Sequence, residues 1–189
     1  MPCATNSKAR EVLSRIAGPL LKASPRERLK WLLLTVLFSA AAVTAEVAFY
    51  NNFRFAWDRQ TLKCLDANVL LVSLKDKTPK RGAVFAYTSR QAAPVVPEGM
   101  LMGKILTGLP GDTVEVRRDN GVYVNGVKVA QGMPHLRGLK PSETGRFYGK
   151  RTLKADEYWM TGTKPLSFDS RYWGPIKGDQ IYGRAYALF

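Results

Sequence analysis

DTVEVRRDNGVYVNGVKVA, Asp112 to Ala130, alternates valines with polar residues and breaks the alternation at Asp119-Asn120-Gly121 and again at Asn125-Gly126. A period of two carried by β-branched residues is the pattern of half-buried strands, and Asn-Gly accepts the positive φ angles of a tight hairpin turn. The same texture extends outward, through NVLLVSL, GAVFAYT and MLMGKILTG before it and EYWMTG and QIYGRAYALF after it. From Asn68 onward no long helical period appears. The expected fold is mainly β, a folded sheet or barrel-like domain. Two stretches break the pattern: Gln91 to Gly99, with Pro94 and Pro97, reads as a loop, and Gln131 to Lys150 reads as a basic, glycine-rich connection suited to an insertion or mobile flap. There is no internal repeat and no low-complexity tract.

A different segment precedes this domain. WLLLTVLFSAAAVTAEVAFY, Trp31 to Tyr50, carries no charge until Glu46 and is long enough to cross a hydrocarbon core of about 30 Å as a helix. Lys8, Arg10, Arg15, Lys22, Arg26, Arg28 and Lys30 precede it against Glu11 and Glu27, whereas Arg54, Asp58 and Arg59 follow it. The positive-inside rule then gives three regions: a basic cytoplasmic segment 1–30, a transmembrane helix 31–50, and a β-rich domain 51–189 on the far side. A cleaved signal peptide is the competing reading, kept open by the small residues around Ala45 and Ala48. Against it, the apolar run exceeds the usual core length of about 7–15 residues. Glu11 to Leu21 has weak amphipathic character, consistent with lying on the membrane surface or with a solvated tail.

The formal net charge of +14 admits nucleic acid, an anionic membrane surface or basic segments beside a bilayer. Much of the excess lies in the N-terminal flank and no nucleic-acid-binding motif is present, so no nucleic-acid partner is expected. His135 is the one histidine, and Cys3 and Cys64 are the only cysteines. A Cys/His zinc site lacks its usual ligands, so no metal or other cofactor is expected. A base other than histidine is implied for any hydrolytic chemistry. With the helix spanning the bilayer, Cys3 and Cys64 lie on opposite sides, and Cys64 is then a free thiol in an oxidising compartment.

Three segments carry the candidate chemistry: KCLDANVLLV, with Cys64 ahead of an apolar strand; GKILTGLPGD, which sets Lys104 inside an apolar run; and MTGTKPLSFDSRYWG, Met160 to Gly174. A lysine facing inward from a strand needs a partner or a destabilised charge. GKILTGLPGD is similar to the lysine box of bacterial type I signal peptidases, the S26 family, and SFDSRYWG followed by IYGRA resembles their C-terminal box. In this order behind one N-terminal helix, the chain most resembles the conjugative-transfer, TraF-type branch, which processes pilin precursors. The resemblance covers most of Asp58 to Phe189.

The resemblance implies a nucleophile–lysine dyad. Lys104 matches the general base, Ser167 the serine that hydrogen-bonds and orients the lysine amine, and Asp169 with Arg171 a supporting salt bridge. The nucleophile departs from the family pattern: Cys64 stands where serine is expected, followed by Leu65 and Asp66. Leu62 stands two positions earlier, where a hydroxyl residue often assists the oxyanion hole, which leaves the Cys64 N–H as the arguable donor. A thiol ionises at about 8.5 and is intrinsically more nucleophilic than a hydroxyl, so its base has less work to do. Thiolate and ammonium then titrate as a coupled pair. Ser73, the next serine downstream, falls within an apolar strand and outside the motif.

The implied function is a membrane-anchored signal peptidase-like endopeptidase that matures exported precursors, conjugative pilin in particular, with ring closure of the pilin as an added outcome. The implied partners are a membrane-inserted, pilin-like precursor and the lipid bilayer. The implied location is the bacterial inner membrane, single-pass, with the N-terminus cytoplasmic and the catalytic domain periplasmic. A catalytically inactive scaffold or precursor-binding protein of a conjugative transfer apparatus is the alternative. Taken singly, Cys64 reads as a small apolar core residue, Lys104 as a solvated strand residue and Ser167 as a loop serine. Only the joint order of the segments argues otherwise.

Overall fold

The computed structural model describes residues 23–58 and 64–188. Leu62, Cys3 and the amphipathic 11–21 segment lie outside the described residues. The chain divides into two units, Met1–Tyr50 and Asn51–Phe189.

The first unit is dominated by α1, Pro25–Asn52, which extends beyond the expected 31–50 segment at both ends. Its start follows from a capping box: the Ser24 N–H donates to Glu27 Oε2 (2.8 Å), and the Glu27 N–H donates to Ser24 Oγ (3.4 Å). Pro25 occupies the first helical position, where no N–H is needed. At about 1.5 Å per residue the helix is long enough to cross a hydrocarbon core of about 30 Å. None of its residues is buried, and Phe38 is 77% exposed. Thr35 and Thr44 donate their hydroxyls to the Trp31 and Ala40 carbonyls one turn back, which satisfies them without water. Such a helix fits a membrane anchor.

The second unit is mainly β. Its strands are β1 (Phe53–Trp57), β2 (Val69–Ser73), β3 (Val84–Thr88), β4 (Leu101–Gly108), β5 (Thr113–Val116), β6 (Gly121–Val124), β7 (Val127–Gln131), β8 (Gly149–Thr152), β9 (Glu157–Thr161), β10 (Ile176–Lys177) and β11 (Ile181–Ala187). A seven-stranded sheet runs β1-β2-β11-β3-β4-β9-β10, and a four-stranded sheet runs β7-β6-β5-β8. All pairings are antiparallel. The C-terminal strand β11 is inserted between β2 and β3, so the larger sheet closes only when both ends of the domain are in place. A bulge at Gly183 makes the insertion fit: a Cβ there would lie 2.0 Å from the Ser73 carbonyl oxygen.

The hairpins around Asn120 and Asn125 form as expected. Asn125 and Gly126 both take positive φ (49° and 81°) between β6 and β7, and Asn120 (φ 63°) ends the turn between β5 and β6. Val114, Val116, Val122 and Val124 point into one apolar cluster with Leu153 and Trp159. The larger sheet is covered on both faces, by Leu65, Leu70, Val72 and Ala86 on one and by Phe85, Tyr87, Leu106 and Met160 on the other.

Gln131 to Lys150, expected as a basic, glycine-rich connection suited to an insertion or mobile flap, is a connection from β7 to β8, and part of it packs against the domain. Met133 and Leu136 are buried in the cluster of the smaller sheet. A short helical turn, α2 (Pro141–Thr144), follows, and from Gly149 the chain becomes β8, which pairs with β5. The apolar anchors hold this stretch down, and the glycines serve its turns.

Candidate active site

Lys104 lies in the middle of β4, with β3 on one side and β9 on the other. The register sets it opposite Phe85, and its neighbours on that face are Met102 and Leu106. It is 2% exposed, as expected of a lysine facing inward. Its side chain makes no hydrogen bond and no ion pair among the described residues.

The segment after β9 is built around a buried ion pair. Asp169 caps the one-turn helix α3 (Ser170–Trp173) and accepts hydrogen bonds from Arg171 Nε (2.7 Å), Arg171 Nη2 (2.7 Å) and the Gly162 N–H (2.9 Å). Both side chains are fully buried. Arg171 also donates to the carbonyls of Gln131 (3.0 Å), Gly132 (2.7 Å) and Ser167 (3.2 Å), tying this segment to the end of β7. Burial opposes the guanidinium charge, but the hydrogen bond and charge of Asp169 outweigh it and hold Arg171 above its usual pKa. Ser170 Oγ accepts from the Met160 N–H (3.0 Å), fastening α3 to β9.

Ser167 is fully buried in this segment, yet its Oγ has no hydrogen-bond partner among the described residues. The hydrogen bond expected between Ser167 and Lys104 is therefore not formed in this structure. Gly162 supplies the reason: a Cβ at position 162 would sit 2.2 Å from Ser167 Oγ and 2.6 Å from the Cys64 carbonyl oxygen. The hydroxyl lies in the space that this glycine leaves open.

Cys64 is a free thiol in a bend ahead of β2, half-buried. Its carbonyl accepts from the Thr163 N–H (2.9 Å) and from Thr163 Oγ1 (3.3 Å), so the segment after β9 holds Cys64 as well. An ion pair between Lys164 and Asp66 braces the same contact from outside. The Cys64 N–H has no hydrogen-bond partner among the described residues. Cys64 and Lys104 line one cleft of about 370 Å³, together with Leu65, Leu70, Ala86 and Gly103 on its buried side and Trp57, Met100 and Phe168 toward solvent. A side chain at position 103 would meet Leu70 Cδ1 at 2.9 Å and would have to displace the end of that side chain. No hydrogen bond joins the Cys64 sulfur to the Lys104 amine. Ser73 sits in β2, 9% exposed, and does not line the cleft.

The structure thus brings Cys64 and Lys104 to one cleft and packs Ser167, Asp169 and Arg171 behind it. Sequence reasoning missed Gly162 and Tyr87. Gly162 acts through space it does not fill, and Tyr87 is indistinguishable from an ordinary strand aromatic until its register is known. His135, a loop histidine by sequence, also reaches this segment. Its Nε2 donates to the Leu166 carbonyl (3.0 Å), and its ring packs edge-on against Phe168 and Tyr172, bracing the Ser167 segment.

Comparison with known proteins adds sequence similarity to this geometry. The family described as signal peptidase, peptidase S26, matches residues 28–189. The chain is similar to a probable signal peptidase I-2 of Synechocystis, 27% identical over 175 residues, covering 89% of this chain and 77% of that protein. It is likewise similar to signal peptidase I V of Bacillus subtilis, 27% identical over 165 residues, covering 81% of this chain and 94% of that protein. A crystal structure of a signal peptidase I from Enterococcus faecalis V583 matches at 29% identity with a TM-score of 0.37, covering 61% of this chain and 100% of that one.

Proposed function

Because the chain belongs to the signal peptidase, peptidase S26 family, we propose that it cleaves exported precursors with Cys64 as nucleophile and Lys104 as general base. The observation that carries this reading is the shared cleft, with a thiol and a buried, unpaired lysine on its wall. Lys104 takes the proton from Sγ, and the thiolate attacks the scissile carbonyl carbon while the Cys64 N–H donates to the developing oxyanion. Collapse of the tetrahedral species breaks the C–N bond. The leaving amine, the new N-terminus of the mature chain, receives the proton from Lys104, and a thioester to the leader remains. Water attacks that thioester, gives a proton to Lys104, and the thiol is restored as the leader carboxylate departs. Ser167 orients the amine, on rotating from its place beside Gly162, and the Asp169–Arg171 pair holds the segment that carries it.

The substrate is a membrane-inserted, pilin-like precursor, and the chain belongs to the conjugative branch of the family. Support comes from the motif order and from the apolar helix directly ahead of the domain. The protein sits in the bacterial inner membrane with the N-terminus cytoplasmic and the domain periplasmic. A membrane-impermeant maleimide added to whole cells with a permeable outer membrane labels Cys64 if the orientation is right and leaves it unlabelled if it is reversed. Ring closure follows a second acyl-enzyme: Cys64 attacks a carbonyl near the pilin's C-terminus, the C-terminal tail departs as its amine with a proton from Lys104, and the mature N-terminal amine attacks this pilin thioester in place of water, forming the amide and releasing the thiol. The mass of the mature pilin decides this, since the ring lacks one water relative to the linear product.

One observation favours a second reading, a precursor-binding scaffold without activity: the Cys64 sulfur and Lys104 amine are not hydrogen-bonded here. Coexpression with a pilin precursor separates the two. Cleavage by the parent chain, lost on Lys104→Ala, supports the peptidase, and an uncut precursor that still co-purifies with the chain supports the scaffold.

A further inference from the structure

Tyr87 is a buried polar residue next to Lys104 that the dyad leaves unused and that does not itself line the cleft. On β3 it pairs with Met102 of β4, while Phe85 pairs with Lys104. Tyr87 and Lys104 therefore project from the same face as diagonal neighbours, a spacing of about 7–8 Å that long and aromatic side chains bridge. The Tyr87 ring packs among Phe85, Leu106, Met160 and Ile181 and is 0% exposed. Its hydroxyl has no hydrogen-bond partner among the described residues. Phenylalanine would supply the same ring without a buried, unpaired hydroxyl, so packing does not account for the oxygen. Ser167 Oγ, also buried without a partner, and the unpaired Lys104 amine belong to the same site.

We infer that Tyr87 is a positioning residue of the reacting centre: its hydroxyl, unpaired in this structure, accepts a hydrogen bond from Lys104 and donates one toward the Cys64 sulfur as the proton moves from thiol to amine, which favours the thiolate. This rests on the Cys64–Lys104 reading above. The thiol proton moves from Sγ to Lys104 Nζ, and the tyrosine keeps its own proton throughout. Burial first, and then the charges of Asp169 and Cys64, push the Tyr87 hydroxyl well above the usual phenol range, so it remains a donor wherever the thiolate forms.

The test uses the full chain in detergent micelles, in a Cys3→Ser background so that Cys64 is the sole thiol. The rate of Cys64 alkylation by iodoacetamide is followed against pH by intact mass, for the parent and for Tyr87→Phe, with thermal unfolding of both. The expected result is alkylation about tenfold slower in Tyr87→Phe near neutral pH, converging with the parent where the thiol is ionised in both. The unfolding temperature is unchanged or raised, because an unpaired hydroxyl has been removed. Superimposed alkylation profiles overturn the inference, and so does a Cys64 that the reagent never modifies. Failure of the dyad shows separately, as precursor cleavage by Cys64→Ala.

Discussion

At the scale of single residues, the site combines an exposed requirement with a buried one. In the proposed mechanism Cys64 has to reach substrate and is half-buried, whereas Lys104, the proposed base, is 2% exposed. Lys104→Met keeps an apolar stem of similar length and deletes the amine. It should lower the precursor cleavage rate by about 10²–10⁴-fold, the usual contribution of a general base, with the unfolding temperature unchanged or raised. A variant that cuts at the parent rate removes Lys104 from the mechanism. Arg171→Ala tests the other buried cation. It leaves Asp169 charged and uncompensated, so urea unfolding should show a loss of about 3–5 kcal/mol. A loss in the range of ordinary surface substitutions would mean that the pair is not the anchor of its segment. Lys104, Ser167, Asp169 and Arg171 stand out in the sequence as candidates because their order and spacing resemble a motif. The actual direction of Ser167 Oγ is not legible there, since it depends on a gap beside Gly162 that no pattern of side chains records.

At the scale of elements, strands with one apolar face were legible and strands without one were not. β5, β6 and β7 alternate valines with polar residues and turn at asparagine and glycine. β8, GKRT, is exposed along its length as the edge of the smaller sheet, so it carries no apolar signature. β10 is two residues long and α3 is a single turn, both too short for periodicity to appear. Two glycines separate two reasons for the residue. At Gly126, φ is 81° and nothing lies within 4 Å of where a Cβ would stand, so Gly126→Ala should cost about 1–2 kcal/mol from backbone strain alone and leave cleavage intact. At Gly162 the backbone is ordinary but the space is taken by Ser167 Oγ and the Cys64 carbonyl. Gly162→Ala should therefore cost about 1–3 kcal/mol through overpacking and also depress cleavage. Equal cleavage by the two variants in a precursor assay contradicts the placement of Gly162 between Ser167 and Cys64.

At the scale of the whole molecule, two carboxylates tie the folded domain to pH. Burial raises the pKa of Asp112, but the Leu109 N–H, Asn125 and Arg81 outweigh it and hold the group below its usual value. Burial likewise acts on Glu157 and is outweighed by the Lys154 N–H, Lys177 and Arg151. Folded values below the unfolded ones, about 3.9 and 4.3, mean that this stabilisation is complete above them and is lost as pH falls through the folded values. The unfolding temperature should drop steeply below about pH 4, and the Asp112→Asn, Glu157→Gln double variant should be less stable at neutral pH with a flatter acid limb. A parallel acid limb in that variant contradicts the assignment. The apolar helix α1 and the mainly β domain were both readable from the sequence, while the insertion of β11 between β2 and β3 was not, because pairing partners so distant in the chain leave no local signal. The central claim concerns the cleft, and its most direct test is the cleavage of one pilin-like precursor, in membranes, by the parent chain, Cys64→Ala and Cys64→Ser side by side. Cleavage by the parent, none by Cys64→Ala and a slower but measurable rate by Cys64→Ser is the predicted result; undiminished cleavage by Cys64→Ala contradicts it.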